Sequence, residues 1–170
     1  HAFHDRNVLW VGEPDDRQTP RIVKLRETLV AAGISSPSTT DIRYDIWHKL
    51  MANLTGSTLC LILREPTTIQ ATPMVNRLAR RAHAEAIAVA AANGIVLDDS
   101  PEVRYGPKRV YPDHRPSILQ DYEGGRPMEV EAIVRAPVAF ARAAGLDTPT
   151  LDAIESIVVS LAESKGLYRS

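Results

Sequence analysis

Cysteine is nearly absent. Cys60 stands alone, which excludes an internal disulfide, and its place in the run TLCLIL reads as an inert buried thiol. A reducing cytoplasm fits that usage. Long apolar runs are missing as well: no stretch approaches the roughly 18 residues a membrane span needs, and the N-terminus lacks the charged-then-apolar layout of a signal peptide. Neither sign of charge is in excess. With 20 basic and 21 acidic residues interspersed, formal net charge is −1, leaving no electrostatic footprint for nucleic acid or an anionic membrane. There is no G-x-G-x-x-G turn and no Walker-type lysine loop, so nothing cradles a pyrophosphate in the usual way. His1 and His4 sit at the terminus, while His48, His83 and His114 lack a cysteine or carboxylate partner at ligand spacing. No metal site is therefore expected.

What is present is a core. At 170 residues and 44% hydrophobic content, the chain can fill one domain, or one domain with an appendage. It opens on His1, as a processed product or an excised piece of a longer chain would. Residues Asn7 to Glu13, NVLWVGE, read as a short strand and turn without an obvious partner strand. Thr19 as N-cap, Pro20 at the first helical position, Ile22, Leu25 and Leu29 at helical spacing and Gly33 as C-cap predict a helix. The small, polar segment Ile34 to Thr40 reads as a linker. Beyond it the pattern is helical throughout. A helix from Asp41 to about Leu54 carries Ile42, Ile46, Leu50 and Leu54 on one face, and Gly56 weakens it just beyond. Thr72 and Pro73 open a long alanine-rich helix ending at Asn93-Gly94, with Met74, Leu78, Ala82, Ile87 and Val89 as its buried candidates. Alanine allows close approach, which puts this helix near the domain centre. After an irregular stretch from Asp98 to Asp113, helices resume at Pro116 to Tyr122, Pro127 to Ala144 and Thr148-Pro149 to Lys165.

Two segments place ionisable groups inside these helices. Lys49 lies between Trp47 and Leu50, and Asn53 follows one turn later on the same side. A lysine so placed can donate a proton or hydrogen bond to a carbonyl oxygen; the competing reading is a snorkelling surface lysine beside a solvated amide. In the second segment Glu129 follows Pro127 in a first helical turn, where a carboxylate also suits the helix dipole. Ser117 reads equally as an ordinary first-turn residue, and Asp121 as a cap or local ion-pair partner. Arg77, Arg80 and Arg81 read as a solvated helix face, and Arg104 to Arg109 as a charged loop tip.

Together the motifs become specific. The order D-I-x-x-x-I-W-x-K-L-x-x-N at Asp41 to Asn53, A-x-x-x-G-I at Ala90 to Ile95, and P-S-x-x-Q-D-x-x-x-G-R-x-x-E at Pro116 to Glu129 resembles the C-terminal domain of the ketopantoate reductase (2-dehydropantoate 2-reductase) family. The resemblance implies a mainly α fold: a helical C-terminal domain of the 6-phosphogluconate dehydrogenase-like type over residues 41–170. Residues 1–35 before it look like an orphan β-α unit, the last of a Rossmann domain. It implies NADPH as cofactor, bound mainly by an N-terminal domain, and a small 2-keto acid as substrate. Lys49 matches the family's catalytic lysine and Glu129 its glutamate, Asn53 and Ser117 match substrate-binding positions, and Asp121 lies in the same motif. Glu85 also matches a family glutamate. Ser57 replaces a second asparagine and His114 another, while MEVEAIVRA replaces T-E-I-D-x-I-N-G and adds Pro137, which is expected to kink its helix. Acid–base residues are retained and substrate-side amides lost, so a different 2-keto acid is open, as is a helical dimerisation or partner-binding module without activity. Unpaired strand edges and alanine faces predict a homodimer.

Overall fold

A computed structural model describes residues 8–169. The chain divides into two compact units, His1–Trp47 and His48–Ser170. Among the described residues no helix is long and apolar enough to cross a membrane.

In the first unit, helix α1 (Pro20–Ala31) starts as its sequence dictates. The Thr19 hydroxyl accepts from the Ile22 amide at 3.3 Å, and Pro20 occupies the first turn. Gly33, at φ +80°, takes the left-handed position past its end. Ile22 is the one buried apolar residue of α1; Val23, Leu25 and Val30 stay exposed, as do Leu9 and Trp10. The run expected to be a strand forms none among its described residues. Val8 makes a single parallel bridge to Ser35, the Leu9 amide donates to the Ser35 carbonyl at 2.9 Å, and the Ser36 hydroxyl donates to the Leu9 carbonyl at 2.8 Å. A ladder needs a partner strand, and this short crossing supplies one rung. Asn7, the first residue of that run, lies outside the described residues.

The linker leads into α2 (Ile42–Ala52), in which the division between the units falls. The helical path then continues without a break through a π-turn, Asn53–Ser57, into α3 (Thr58–Leu63). A 3-10 turn, Thr67–Ala71, precedes the long α4 (Pro73–Ala92), and the stretch expected to be irregular holds a one-turn helix, α5 (Pro101–Arg104). Then come α6 (Ser117–Glu123), a second π-turn (Glu131–Arg135), α7 (Ala136–Ala143) and α8 (Pro149–Ser164).

Helix α4 is the hub of the second unit and packs against α5, α7, α8 and the first π-turn. The face it buries is Ala79, Ala82, His83, Ala86, Val89 and Ala90. Those positions recur at helical spacing, and their small side chains let neighbouring helices close on the backbone. Met74 and Leu78, expected in the core, lie instead on the exposed side. Around the hub, Met51, Leu54, Leu59, Leu61, Leu119, Val130, Val134, Val138, Leu151 and Val158 are fully buried. Cys60 is buried too, and desolvation raises its thiol pKa, consistent with an inert role.

Pro137, expected to kink its helix, stands in the first turn of α7. It follows directly on the second π-turn, in which the Ala136 amide reaches back to the Glu131 carbonyl. A proline clashes with the carbonyl four residues earlier and offers no N–H. Widening the preceding turn to π spacing accommodates both effects within a continuous helix.

Candidate functional site

Both π-turns fall beside the motifs that the sequence singles out. Asn53 and Ser57 are the first and last residues of the first one, and Lys49 stands in the last turn of α2, one turn before it. Glu129 precedes the second. Its helix begins at Val130 rather than at Pro127: the Met128 amide donates to the Leu167 carbonyl at 3.0 Å, and the Glu129 carbonyl accepts from Ile133 at 3.1 Å, which puts Glu129 at the N-cap position. The first π-turn packs against the second and also against α6, the helix that opens on Ser117. Three stretches far apart in sequence thus meet within the second unit. A π-turn carries an extra residue per turn at the expense of good α geometry, and such turns concentrate at functional positions.

Lys49, Ser117 and Glu129 are exposed, while Asn53, Ser57, His114 and Asp121 are half-buried. Among the described residues, the side chains of Lys49, Asn53, Ser117 and Glu129 form no hydrogen bond or ion pair with other residues. The Ser57 hydroxyl donates to the Ala52 carbonyl at 3.5 Å. Asp121 pairs with Arg126 at 2.8 Å, the local partnership its sequence position also allowed. His114 lies in the loop before α6, fixed by its backbone: its carbonyl accepts from Thr67 at 2.8 Å and its amide donates to Pro112 at 2.9 Å.

A buried polar cluster lies behind the first π-turn, and sequence reasoning missed it. Thr55, fully buried within the turn, donates its hydroxyl proton to the Met51 carbonyl at 2.7 Å. It has no second proton, so in the 2.6 Å contact between its oxygen and the Tyr105 hydroxyl the tyrosine is the donor. Burial pushes the Tyr105 pKa up to about 12. Its ring meets His83 edge to face, with centroids 5.6 Å apart. His83 is fully buried; its Nε2 lies 3.3 Å from Asp99 Oδ2, off the line of a hydrogen bond. Asp99 is in turn held by Arg104 through Nε at 2.7 Å and a terminal nitrogen at 2.5 Å. Desolvation lowers the His83 pKa to about 4 against the opposing pull of Asp99, leaving the imidazole neutral at pH 7. Arg104 therefore belongs to this cluster and not to a loop tip. The spacing of His83 to Asp99 and Arg104 carries no signal, since a tertiary fold alone joins them.

Glu85, matched to a family glutamate, has a structural role. From α4 its carboxylate accepts from the amides of Thr150 and Leu151 at 3.1 and 2.9 Å, capping the N-terminus of α8 from outside that helix. Among the described residues no cluster of His, Cys, Asp or Glu is arranged to hold a metal ion.

A helical domain with its hub helix alanine-lined and its polar motifs gathered at two π-turns is the class this second unit defines. Residues 41–162 match the family model described as ketopantoate reductase PanE/ApbA C terminal, and the chain belongs to that family. It is 36% identical over 166 residues to a 2-dehydropantoate 2-reductase of Mesorhizobium japonicum, covering 93% of this chain and 49% of that protein. Its fold is similar to a dimeric ketopantoate reductase from Staphylococcus aureus, with 26% identity, a TM-score of 0.81, and coverage of 94% of this chain and 55% of that one. It is also similar to a D-mandelate dehydrogenase in complex with NADH, with 26% identity, a TM-score of 0.81, and coverage of 92% and 55%. The chain spans about half the length of the curated relatives it matches.

Proposed function

We propose that this chain is the substrate-binding and catalytic-acid domain of a cytoplasmic, NADPH-dependent reductase of small 2-keto acids. The observation that carries this reading is the meeting of the Asn53–Ser57 π-turn with α6 and with the turn that follows Glu129. In it, Lys49 donates a proton to the keto oxygen, and its positive charge offsets the negative charge that develops there. Glu129 orders the polar network around the lysine. Asn53, Ser57, His114, Ser117 and Asp121 contact the keto acid. Because Ser57 and His114 stand where the family has asparagines, the substrate is a 2-keto acid with fewer amide-directed contacts than 2-dehydropantoate makes. A D-mandelate dehydrogenase among the relatives supports that breadth.

The residues described do not fit a dinucleotide. The left-handed glycines Gly33, Gly94, Gly125, Gly145 and Gly166 each close a helix at its C-terminus, whereas a pyrophosphate is held where a glycine turn opens one. The cofactor is accordingly held by a dinucleotide-binding domain outside these 170 residues, and the chain alone is expected to show no turnover. Within the first unit, the exposed Trp10, Leu25 and Ile46 line one groove, an apolar surface of the kind such a neighbour covers.

We also infer a homodimer in which a second copy covers the apolar groove of about 410 Å³ between α3, α4 and α8, lined by Leu63, Met74, Leu78, Ile154 and Ile157. The S. aureus relative is described as dimeric. A helical dimerisation module without activity is the rival, favoured by the amides lost at Ser57 and His114. Replacing Lys49 with alanine in the enzyme joined to its dinucleotide-binding domain separates the two: a fall in turnover on the order of a hundredfold is expected, and an unchanged rate removes Lys49 from the mechanism.

A further inference from the structure

Nothing assigned so far explains why a fully buried tyrosine spends its hydroxyl on one threonine inside a helix. A π-turn is not self-supporting, since its wider ring has poorer hydrogen bonds than an α turn and leaves room along the axis. In this chain the first π-turn is gripped from outside at two successive residues. Tyr105, 3% exposed and 50 residues distant in sequence, donates to Thr55. Gln70, 6% exposed, lays its amide on Gly56: its Nε2 approaches the Gly56 carbonyl at 3.5 Å, and a Cβ on Gly56 would stand 3.0 Å from its Oε1. Asn53 and Ser57 are the ends of this five-residue turn. Whatever sets its register sets the spacing and rotation of those two side chains, and of both relative to Lys49.

Tyr105 is itself held. The Asn76 amide donates to its carbonyl at 3.1 Å and to the Tyr111 hydroxyl at 3.3 Å, and its ring rests on His83, which is backed by Asp99 and Arg104. The chain therefore invests a layer of buried polar groups in fixing one side of one turn.

We propose that Tyr105, acting through Thr55, is a positioning residue for keto acid binding: its hydroxyl locks the register of the π-turn that presents Asn53 and Ser57. The inference rests on the reductase reading above and deepens it. Losing the hydroxyl relaxes the turn toward α spacing and spoils the keto acid contacts. It leaves dinucleotide binding, which this chain does not carry, untouched.

The test is steady-state kinetics of the enzyme joined to its dinucleotide-binding domain, with ketopantoate and phenylglyoxylate as the keto acids. Tyr105→Phe is expected to raise KM for the keto acid on the order of tenfold while KM for NADPH stays at its original value. Thr55→Val, which removes that bond together with the one to the Met51 carbonyl, reproduces that split; Thr55→Ser, which keeps the hydroxyl, retains the parent KM values. The double variant Tyr105→Phe/Thr55→Val is no worse than Thr55→Val alone, because the Tyr105–Thr55 bond is already absent in that variant. A merely structural role predicts that both KM values move together, or that the two effects add; either result overturns the proposal, as does an unchanged keto acid KM in Tyr105→Phe. Lys49→Ala run in parallel tells the failures apart. Full turnover in that variant overturns the reductase reading and this inference with it, whereas lost turnover beside a silent Tyr105→Phe overturns the positioning role alone.

Discussion

The acid limb of stability should belong largely to His83. The side chain is fully buried on α4 beside Asp99, with the Tyr105 ring against it and Arg104 and Glu102 nearby, and burial holds its pKa at about 4. In the unfolded chain an ordinary histidine titrates near 6.5. The folded pKa is the lower one, so the unfolded state takes up the proton first as pH falls. Stability is then at its full value above about pH 6.5, declines through the interval between the two pKa values, and levels off below about 4. Each pH unit in that interval is worth about 1.4 kcal/mol, which accumulates to roughly 2 kcal/mol by pH 5 and roughly 3 kcal/mol at the lower end. Such a loss is a large share of the stability of a domain this size. Replacing His83 with leucine keeps an apolar volume at the site, leaves Asp99 with its Arg104 partner and removes the proton sink. Urea denaturation at pH 7, 6, 5.5 and 5 measures it, and the informative quantity is the difference between the two proteins, because carboxylates common to both cancel. The leucine variant should gain on the parent steadily from pH 6.5 to 5. A difference that stays constant over that range would refute the account.

Four further outcomes follow from the same packing. Removing the Glu85 carboxylate with Glu85→Ala uncaps α8 and should lower unfolding free energy by about 1–2 kcal/mol in urea melts. Arg104→Met leaves Asp99 buried with only a neutral histidine beside it, and a loss of roughly 3 kcal/mol is expected at pH 7 by the same measurement. Leu119→Ala empties a fully buried position on α6 and should cost about 2–5 kcal/mol. Leu78→Glu places a charge in the α3–α4–α8 groove; light scattering is expected to show a dimer for the parent chain, as inferred above, and a monomer for the variant, with the helical circular dichroism retained.

Much of the fold could be read from local chemistry. The Thr-Pro starts gave α1, α4 and α8 to within a residue or two, because a proline in the first turn is fixed by the chain itself. Apolar residues at helical spacing carried the rest of the helical order. What could not be read has a tertiary cause. Met74 and Leu78 look like core by hydropathy, yet the alanine face is buried because close helix approach outweighs side-chain size at the hub. Thr55, Gly56 and Gln70 carry no local mark of a π-turn, since the turn is held by Tyr105 and Gln70 across the fold. The positions of Lys49, Asn53, Ser117 and Glu129 came from motif spacing. The meeting of the stretches that carry or adjoin them came only from the packing of the first π-turn against α6 and the second π-turn.

The first π-turn also ties the register of the helical run from Ile42 to Leu63 to its count of residues. An α-helix advances about 100° per residue, and a π-turn takes about one residue more for the same rotation; deleting a single residue between 53 and 57 would let the run close as ordinary α-helix with its flanks in register, whereas closing to α spacing with every residue kept would turn one flank by about 100° against the other. Lys49 would then face away from the surface that Thr58 to Leu63 still occupies, in a chain whose hydrophobic content and helix count were unaltered. The number of residues between Lys49 and the apolar run after it thus decides whether a π-turn is needed to keep the two in register.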